Sequence, residues 1–257
     1  MPHADWNGEV YHRISEPQFA WGQAVLETLP LAGDEVVLDA GCGSGRLTAL
    51  LCARLPRGHV VAFDASASML EAAKAALASF GPRVSFVHGD LGALVLPRQV
   101  DVVFSTATFH WVLDHRALFA GLARALRPSG RLHAQCGGAG NLKAFNALAA
   151  RVAQAPRFRS QLSGFESPTF FAGVDDSRAR LSDAGFVALD VTLVDAPTRF
   201  ATAAAYREFI EHVILRHHLV RLAEADRGAF LDAVVEAAAG QWSLDYVRLN
   251  LRATRGP

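Results

Sequence analysis

The segment Val36-Val37-Leu38-Asp39-Ala40-Gly41-Cys42-Gly43-Ser44-Gly45-Arg46-Leu47-Thr48 limits the fold more than any other part of the chain. An apolar, β-branched run ends in an acid. Three glycines then alternate with small residues, and a helical pattern begins. This order predicts a strand, a tight turn and a helix N-terminus. Glycine in such a turn permits positive φ and lets a ligand lie against the backbone. The spacing separates ligand classes. A dinucleotide fingerprint has glycine at its first, third and sixth positions, and the sixth here is Arg46. A phosphate-binding P-loop ends in Gly-Lys-Ser/Thr, and the chain has no such run. What remains is Asp-x-Gly-x-Gly-x-Gly.

Two further acids follow in step. His59-Val60-Val61-Ala62-Phe63-Asp64 reads as the next strand, and Asp64 lies 19 residues after Gly45. A ribose-binding carboxylate belongs at about that distance, because a carboxylate can accept hydrogen bonds from both vicinal hydroxyls. Val84-Ser85-Phe86-Val87-His88-Gly89-Asp90 reads as a third strand, again ending in an acid. A strand-end Asp is often only a turn or cap residue. Three in order make a far more specific pattern.

The rhythm continues through a helix at 46–55, a helix at 66–80 with Ser68 and Glu71 spaced like a capping box, and a fourth strand Gln99–Phe104. A helix from Arg116 to Leu126 and a fifth strand Arg131–Cys136 follow. Alternation of this kind predicts a parallel sheet with helices on both faces. Right-handed crossovers then set the strand C-termini, and their acids, along one edge. An N-terminal helix spans about Phe19–Leu29. After Gly140 the rhythm changes. Asn141 is placed to cap a helix running to about Gln154, and a short helix ends near Gly185. Val187–Val194 reads as a strand, 201–240 as helical, and Leu244–Leu251 as a strand with one exposed face. The last two strands are expected to pair across a helical insertion.

Composition closes off other classes. Of 257 residues, Lys+Arg and Asp+Glu number 25 each, and the pI is near 7.2. Without a basic surplus, nucleic acid and acidic membranes are not expected partners. The first residues lack a basic flank followed by an apolar core, and no apolar run approaches membrane-spanning length. Cys42, Cys52 and Cys136 lack metal-site spacing, and His217-His218 and Asp175-Asp176 lack supporting ligands. The expectation is a metal-free cytoplasmic protein, monomer or homodimer, acting on a small molecule.

The glycine loop and its companion acids resemble those of class I S-adenosylmethionine (SAM)-dependent methyltransferases, over about residues 35–136 and more weakly in the last strand pair. Within that class the chain is similar to the trans-aconitate methyltransferase-like family. The residues responsible are Trp6-Asn7 with Tyr11, the glycine loop, Phe109-His110-Trp111-Val112-Leu113-Asp114-His115, and Ala125-Leu126-Arg127-Pro128-Ser129-Gly130-Arg131-Leu132. The resemblance implies an α/β, doubly wound, mostly parallel seven-stranded sheet with an antiparallel C-terminal strand and a helical cap. It also implies SAM as cofactor and S-adenosylhomocysteine as product. Asp39, Gly41, Cys42, Gly43, Gly45, Asp64, Ala65, Met69, Asp90, Leu91 and Ser105 would bind it, with Asp90 on the adenine amino group. Residues 1–32 would form an arm, helix and lid, and 33–140 the SAM-binding core. Residues 141–257 would complete the sheet, with insertions 141–184 and 201–240 as the substrate cap. Members often methylate a carboxylate oxygen. The segment Phe104-Ser105-Thr106-Ala107-Thr108-Phe109 departs from the Asn/Asp-Pro-Pro-Tyr/Phe of many amino-group methyltransferases, which lowers the case for N-methylation.

A carboxylate acceptor needs no general base, whereas a hydroxyl or carbon acceptor does. His110, just past the fourth strand, is the residue placed to serve as one. It would otherwise only hydrogen-bond substrate or cap the next element. Tyr11, Trp111, Gln135, Tyr206 and His217 are the expected substrate-pocket residues. On a helix at 206–222, Tyr206, Ile210, Val213 and His217 share one face, with His218 directed elsewhere. Three alternatives stay open: a hydroxyl- or carbon-directed methyltransferase with His110 as base, a SAM-binding protein catalysing another reaction, and an NAD(P)-dependent oxidoreductase. Calorimetry with SAM and with NAD, each in a chelator, separates the last. SAM is expected to bind and NAD is not; the reverse result would overturn the reading of the glycine loop.

Overall fold

The computed structural model describes residues 16–257. Tyr11 and the Trp6-Asn7 pair lie outside the described residues. The strands are β1 (Val36–Ala40), β2 (His59–Asp64), β3 (Val84–His88), β4 (Val100–Thr106), β5 (Leu126–Gly137), β6 (Phe186–Asp195), β7 (Thr198–Arg199), β8 (Ser243–Leu244) and β9 (Val247–Arg255). The helices are α1 (Glu16–Glu27), α2 (Arg46–Arg54), α3 (Ala67–Ala76), α4 (His115–Ala125), α5 (Lys143–Ala153), α6 (Pro156–Leu162), α7 (Val174–Asp183), α8 (Ala203–Phe209), α9 (Arg216–Arg221) and α10 (Glu224–Ala237).

Seven strands form one sheet in the order β3-β2-β1-β4-β5-β9-β6. β1 to β5 run parallel, and β9 pairs antiparallel to β5, from Arg131↔Thr254 to Gly137↔Arg248. The last two strands are neighbours, as the sequence predicts. Successive strand residues point to opposite faces, so each buried strand feeds two cores. Val37 joins Val25, Leu51 and Leu70 under α1, α2 and α3. Leu38 joins Phe119, Leu122 and Leu181 under α4 and α7. The chain leaves β1 towards β2 and β3, then crosses to β4 on the other side. The β1/β4 C-terminal edge is therefore the switch point at which such sheets bind ligands.

The chain divides into two compact units. The core unit holds the described residues up to Ala139, with Thr169–Val194 and Arg248–Pro257. The helical unit holds Gly140–Pro168 and Asp195–Val247. The first insertion was expected to run to residue 184, but the chain returns to the core by Thr169. The cause is α7: its Leu181 is fully buried with Leu118 and Phe119 of α4.

Local details differ from the sequence reading where a cap or an extra residue intervenes. The α3 cap is Ser66, whose hydroxyl accepts from Met69 N, rather than Ser68. Asn141 does not cap α5; its side chain accepts from Val247 N. Asp245, about a hundred residues away, takes that role by accepting from Ala144 N at 2.7 Å and Phe145 N at 3.2 Å. α6 and the β7–β8 ladder were not foreseen. Two-residue strands carry no readable period.

The expected face of helix 206–222 is broken after α8. Residues Ile210–Ile214 form a π segment in which Leu215 N donates to Ile210 O at 2.7 Å. One added residue turns everything beyond it by about 100°. His218, not His217, therefore enters the apolar cluster, with its ring 3.9 Å from Phe165 and stacked on Phe230 at 6.0 Å. Burial, then His217 and Arg221, push its pKa down to about 4. His217 accepts from Arg216 Nε at 3.2 Å. Tyr206 is 1% exposed, packed edge-on against Phe145 and Phe200, and belongs to the core of this unit rather than a pocket wall.

Asp245→Ala should remove the α5 cap and lower stability by about 1–2 kcal/mol in urea unfolding. Asp245→Asn should retain most of it. Equal stability of Asp245→Ala and the parent would show that the cap contributes nothing.

Candidate active site at the C-terminal edge of the sheet

The glycine loop is shaped by three left-handed residues, Gly41 (φ 91°), Gly43 (φ 54°) and Gly45 (φ 86°). Gly41 N and Cys42 N both donate to Phe63 O, at 2.8 and 3.0 Å, which draws the loop across the end of β2. A Cβ on Gly41 would stand 2.1 Å from Thr108 Oγ1, so only glycine admits the turn that follows β4. A Cβ on Gly43 would meet no atom within 4 Å; the crest of the loop faces open space.

The three acids hold different posts. Asp39 is buried and accepts from Thr48 Oγ1 at 2.7 Å. Burial raises its pKa to about 7; the Thr48 bond opposes this and the Asp64 charge adds to it. Asp64 accepts from Gly43 N through Oδ2 at 2.8 Å and from Ser66 N through Oδ1 at 2.9 Å. It thus ties the loop crest to the start of α3. Burial raises its pKa, against the N–H groups of Ser66, Gly43 and Ala65. Asp90 is exposed and accepts from Gly92 N at 2.8 Å, capping the turn Leu91–Ala93.

Among the other expected cofactor residues, Ala65 is exposed beside Asp64, while Met69 and Leu91 are buried. Cys42 is buried, and burial, then Asp39 and Asp64, drive its thiol pKa far up, so it is a neutral filler. Ser105 is also buried. Its hydroxyl donates to Ala40 O at 2.6 Å, which joins β4 to β1 and leaves that donor committed inside the sheet.

The turn after β4 carries His110. Ala107 adopts a positive φ of 54° and donates its N–H to Gln135 O at 2.8 Å. Phe170 N donates to His110 O at 2.8 Å, and His115 Nε2 donates to Phe109 O at 3.0 Å. The His110 ring lies between Trp111 and Phe171, with centroids at 5.2 and 5.8 Å. Burial, then the charges of Arg248 and His115, push its pKa down to about 3. Gly137 N donates to Nδ1 at 3.3 Å. In the neutral ring Nδ1 therefore holds the lone pair and Nε2 the proton.

Sequence reasoning missed Arg248. This residue is 4% exposed and faces Gly137 across the β5–β9 ladder. Its guanidinium lies 4.7 Å from the Trp21 ring centroid, and its Nε donates to Gln135 Oε1 at 3.3 Å. Gln135 in turn donates to Asn250 Oδ1 at 2.8 Å. Gln135 was expected to face substrate, but these two bonds orient its amide towards β9. The alternating pattern of β9 gives Arg248 and Arg252 the same polar face, and nothing in it distinguishes the buried one.

The core unit thus brings together the glycine loop, the three acids, His110, Trp111 and Gln135. Tyr206 and His217 belong to the helical unit. Among the described residues, no group of three or more His, Cys, Asp or Glu side chains is placed to hold a metal, and no helix is long and apolar enough to cross a membrane.

Comparison with known proteins decides the family. Residues 37–130 match the family described as a methyltransferase domain. A trans-aconitate 2-methyltransferase of Methylobacterium radiotolerans is 30% identical over 249 residues, covering 93% of this chain and 91% of that protein. The chain belongs to the trans-aconitate methyltransferase-like family. A second such enzyme, from Paracidovorax citrulli, is 31% identical over 262 residues, with 98% of each chain covered. The YcgJ protein of Bacillus subtilis shares the fold, with a TM-score of 0.64 at 15% identity over 93% of this chain and 99% of its own. The trans-aconitate methyltransferase-like chain is therefore a SAM-dependent enzyme of the class I type, not an oxidoreductase. Its site fits the cofactor. The open crest at Gly43 leaves room against the backbone, and the Asp64 carboxylate stands at the loop as an acceptor.

Asp64→Ala should keep the fold by circular dichroism and weaken SAM roughly tenfold to a hundredfold in calorimetry. It removes a charged acceptor whose bonds contribute about 1.5–3 kcal/mol each. Undiminished affinity would show that Asp64 only anchors the loop.

Proposed function

We propose that the enzyme transfers the methyl group of SAM to a carboxylate oxygen of a small organic acid. An unsaturated polycarboxylate of the trans-aconitate kind is the first acceptor to assay, since the relatives named above carry that activity in their names. The observation that carries the reading is the state of His110. With its pKa near 3 and its Nδ1 lone pair occupied by Gly137 N–H, the ring is a poor proton acceptor at neutral pH. What it offers is Nε2–H, a hydrogen-bond donor. A carboxylate, ionised above a pKa of about 4, needs a donor and no base. A hydroxyl or carbon acceptor needs the base that His110 is not.

When bound, the cofactor supplies an electrophilic methyl carbon on a sulfonium. The chain's own work is to hold the acceptor in line with it and to exclude water. Orientation of this kind supplies roughly 7–11 kcal/mol. In this reading Gly41, Gly43 and Gly45 present backbone to the cofactor, and Asp64 accepts from its ribose. Asp90 meets the adenine amino group, with Met69 and Leu91 as apolar walls. His110 Nε2–H holds one acceptor oxygen, and Trp111 walls the pocket. The strained turn at Ala107 fixes where His110 stands, as strained backbone often does at sites of chemistry.

The pH dependence of His110 variants tests this. The folded ring stays neutral above its pKa near 3, so turnover of the parent should show no inflection from His110 between pH 5 and 9. His110→Gln, which keeps a donor, should retain appreciable kcat. A general base would instead cost roughly a hundredfold or more on removal, with the loss changing with pH. Such a loss would overturn the carboxylate reading. Stability carries the same sign. Below about pH 6.5 the unfolded ring binds a proton that the folded ring refuses. The parent should therefore lose stability on acidification to about pH 3, and His110→Gln should lose less.

A further inference from the structure

His115 is buried and titratable, and the chemistry above makes no use of it. Its contacts converge on His110. Nε2 donates to Phe109 O at 3.0 Å, on the residue just before His110. The same carbonyl accepts from Val112 N at 3.0 Å, which closes the turn, so His115 ties a closed turn to α4. On the other flank the His115 ring meets Phe170 edge-on at 4.9 Å, and Phe170 N donates to His110 O at 2.8 Å. The next residue, Phe171, brings its ring to 5.8 Å from that of His110. One imidazole thus braces the turn through the carbonyl before His110, and braces the segment that bonds the carbonyl of His110 itself.

The brace is itself firmly held. His115 opens α4, where the Asp114 side chain accepts from Arg116 N and Ala117 N. Its ring packs against Phe119 at 5.5 Å, and Phe119 is fully buried. The bond to Phe109 needs the proton on Nε2, which leaves the lone pair on Nδ1. Burial holds the pKa of His115 below the usual histidine range; the Phe109 bond opposes this, Arg180 adds to it and Asp114 opposes it. Nδ1 of His115 and Nη1 of Arg180 are both buried with no hydrogen-bond partner. One is an acceptor and the other a donor, and the Arg180 guanidinium lies 5.1 Å from the centre of the same Phe170 ring. A cation on that side disfavours a proton on Nδ1 and leaves it on Nε2.

We infer that His115 is a positioning residue for methyl transfer, fixing His110 from both flanks, with Arg180 setting which of its nitrogens carries the proton. The inference rests on the reading of His110 as the hydrogen-bond donor to the acceptor. It assigns a role to a buried histidine that never meets substrate.

The test joins turnover of the full-length protein with 15N spectra of its histidine rings. His115→Phe fills the space without the donor. It should lower kcat roughly tenfold, as small misplacements of a reacting group do. SAM affinity by calorimetry should change less than about twofold, and the His110 ring signals should shift. In His115→Gln the side-chain amide replaces the Nε2 donor, so kcat should return to within about threefold of the parent. Arg116→Gln, one residue along α4 at an exposed pair with Asp183, should keep the parent's kcat and signals. The inference falls if folded His115→Phe keeps kcat within about twofold, if SAM affinity drops as much as kcat, or if His115→Gln rescues nothing. If the parent methylates only acceptors without a carboxylate, the donor reading of His110 falls instead, and the ring signals still decide whether His115 holds that ring. Should His115→Phe not fold, the parent's own spectra decide. The proton of His115 should sit on Nε2 near neutral pH, and a proton on Nδ1 alone would overturn the inference.

Discussion

A side chain at residue 41 would place its first carbon 2.1 Å from Thr108 Oγ1. The absence of that carbon lets two turns from different strands touch, one after β1 and one after β4. The first is the glycine loop. The second continues through Ala107 and Thr108 into His110, and Ala107 N–H is anchored on Gln135 of β5. Register then passes from β5 to β9 and Arg248. The glycine loop, His110 and Arg248 are thus set by contacts running along one sheet edge. A displacement at the Gly41–Thr108 contact would move the later groups together.

The loop also concentrates negative charge. Asp39 and Asp64 influence one another, and both sit where burial makes ionisation costly. Asp64 offsets this through N–H groups from two elements, and Asp39 through one hydroxyl. A cation placed beside these carboxylates would favour their ionised form, and the reactive sulfonium of SAM is a cation. Carboxylates that are costly to ionise in the unliganded loop would be stabilised by such a ligand.

Much of the core was legible in the sequence because burial on both faces leaves continuous apolar strands, the first three of them ending in or near an acid. The sheet, its parallel part and the late strand pair follow from that pattern. The helical unit was less legible, for identifiable reasons. The α5 cap comes from Asp245, too far along the chain for any local motif to show. The π segment adds a residue that no hydrophobic period reveals, and this exchanges His217 for His218. At the site, the position of His110 was legible but its chemistry was not, because the Gly137 contact and the Arg248 charge come from β5 and β9. Arg248 itself is one of two arginines in an alternating strand, and only the ladder shows which of them is sunk beside the site.

The place of β9 between β5 and β6 has a consequence for how such a chain is made. Residues 247–255 leave the ribosome after every other strand of the sheet. Until then β5 and β6 each show a bare edge, the kind of surface that invites wrong partners. The nascent core must therefore remain incomplete through the synthesis of the whole helical unit. The strand that closes the sheet is also the one that carries Arg248, whose charge acts on the His110 ring, so closure of the sheet and the final electrostatic setting of His110 are a single late event.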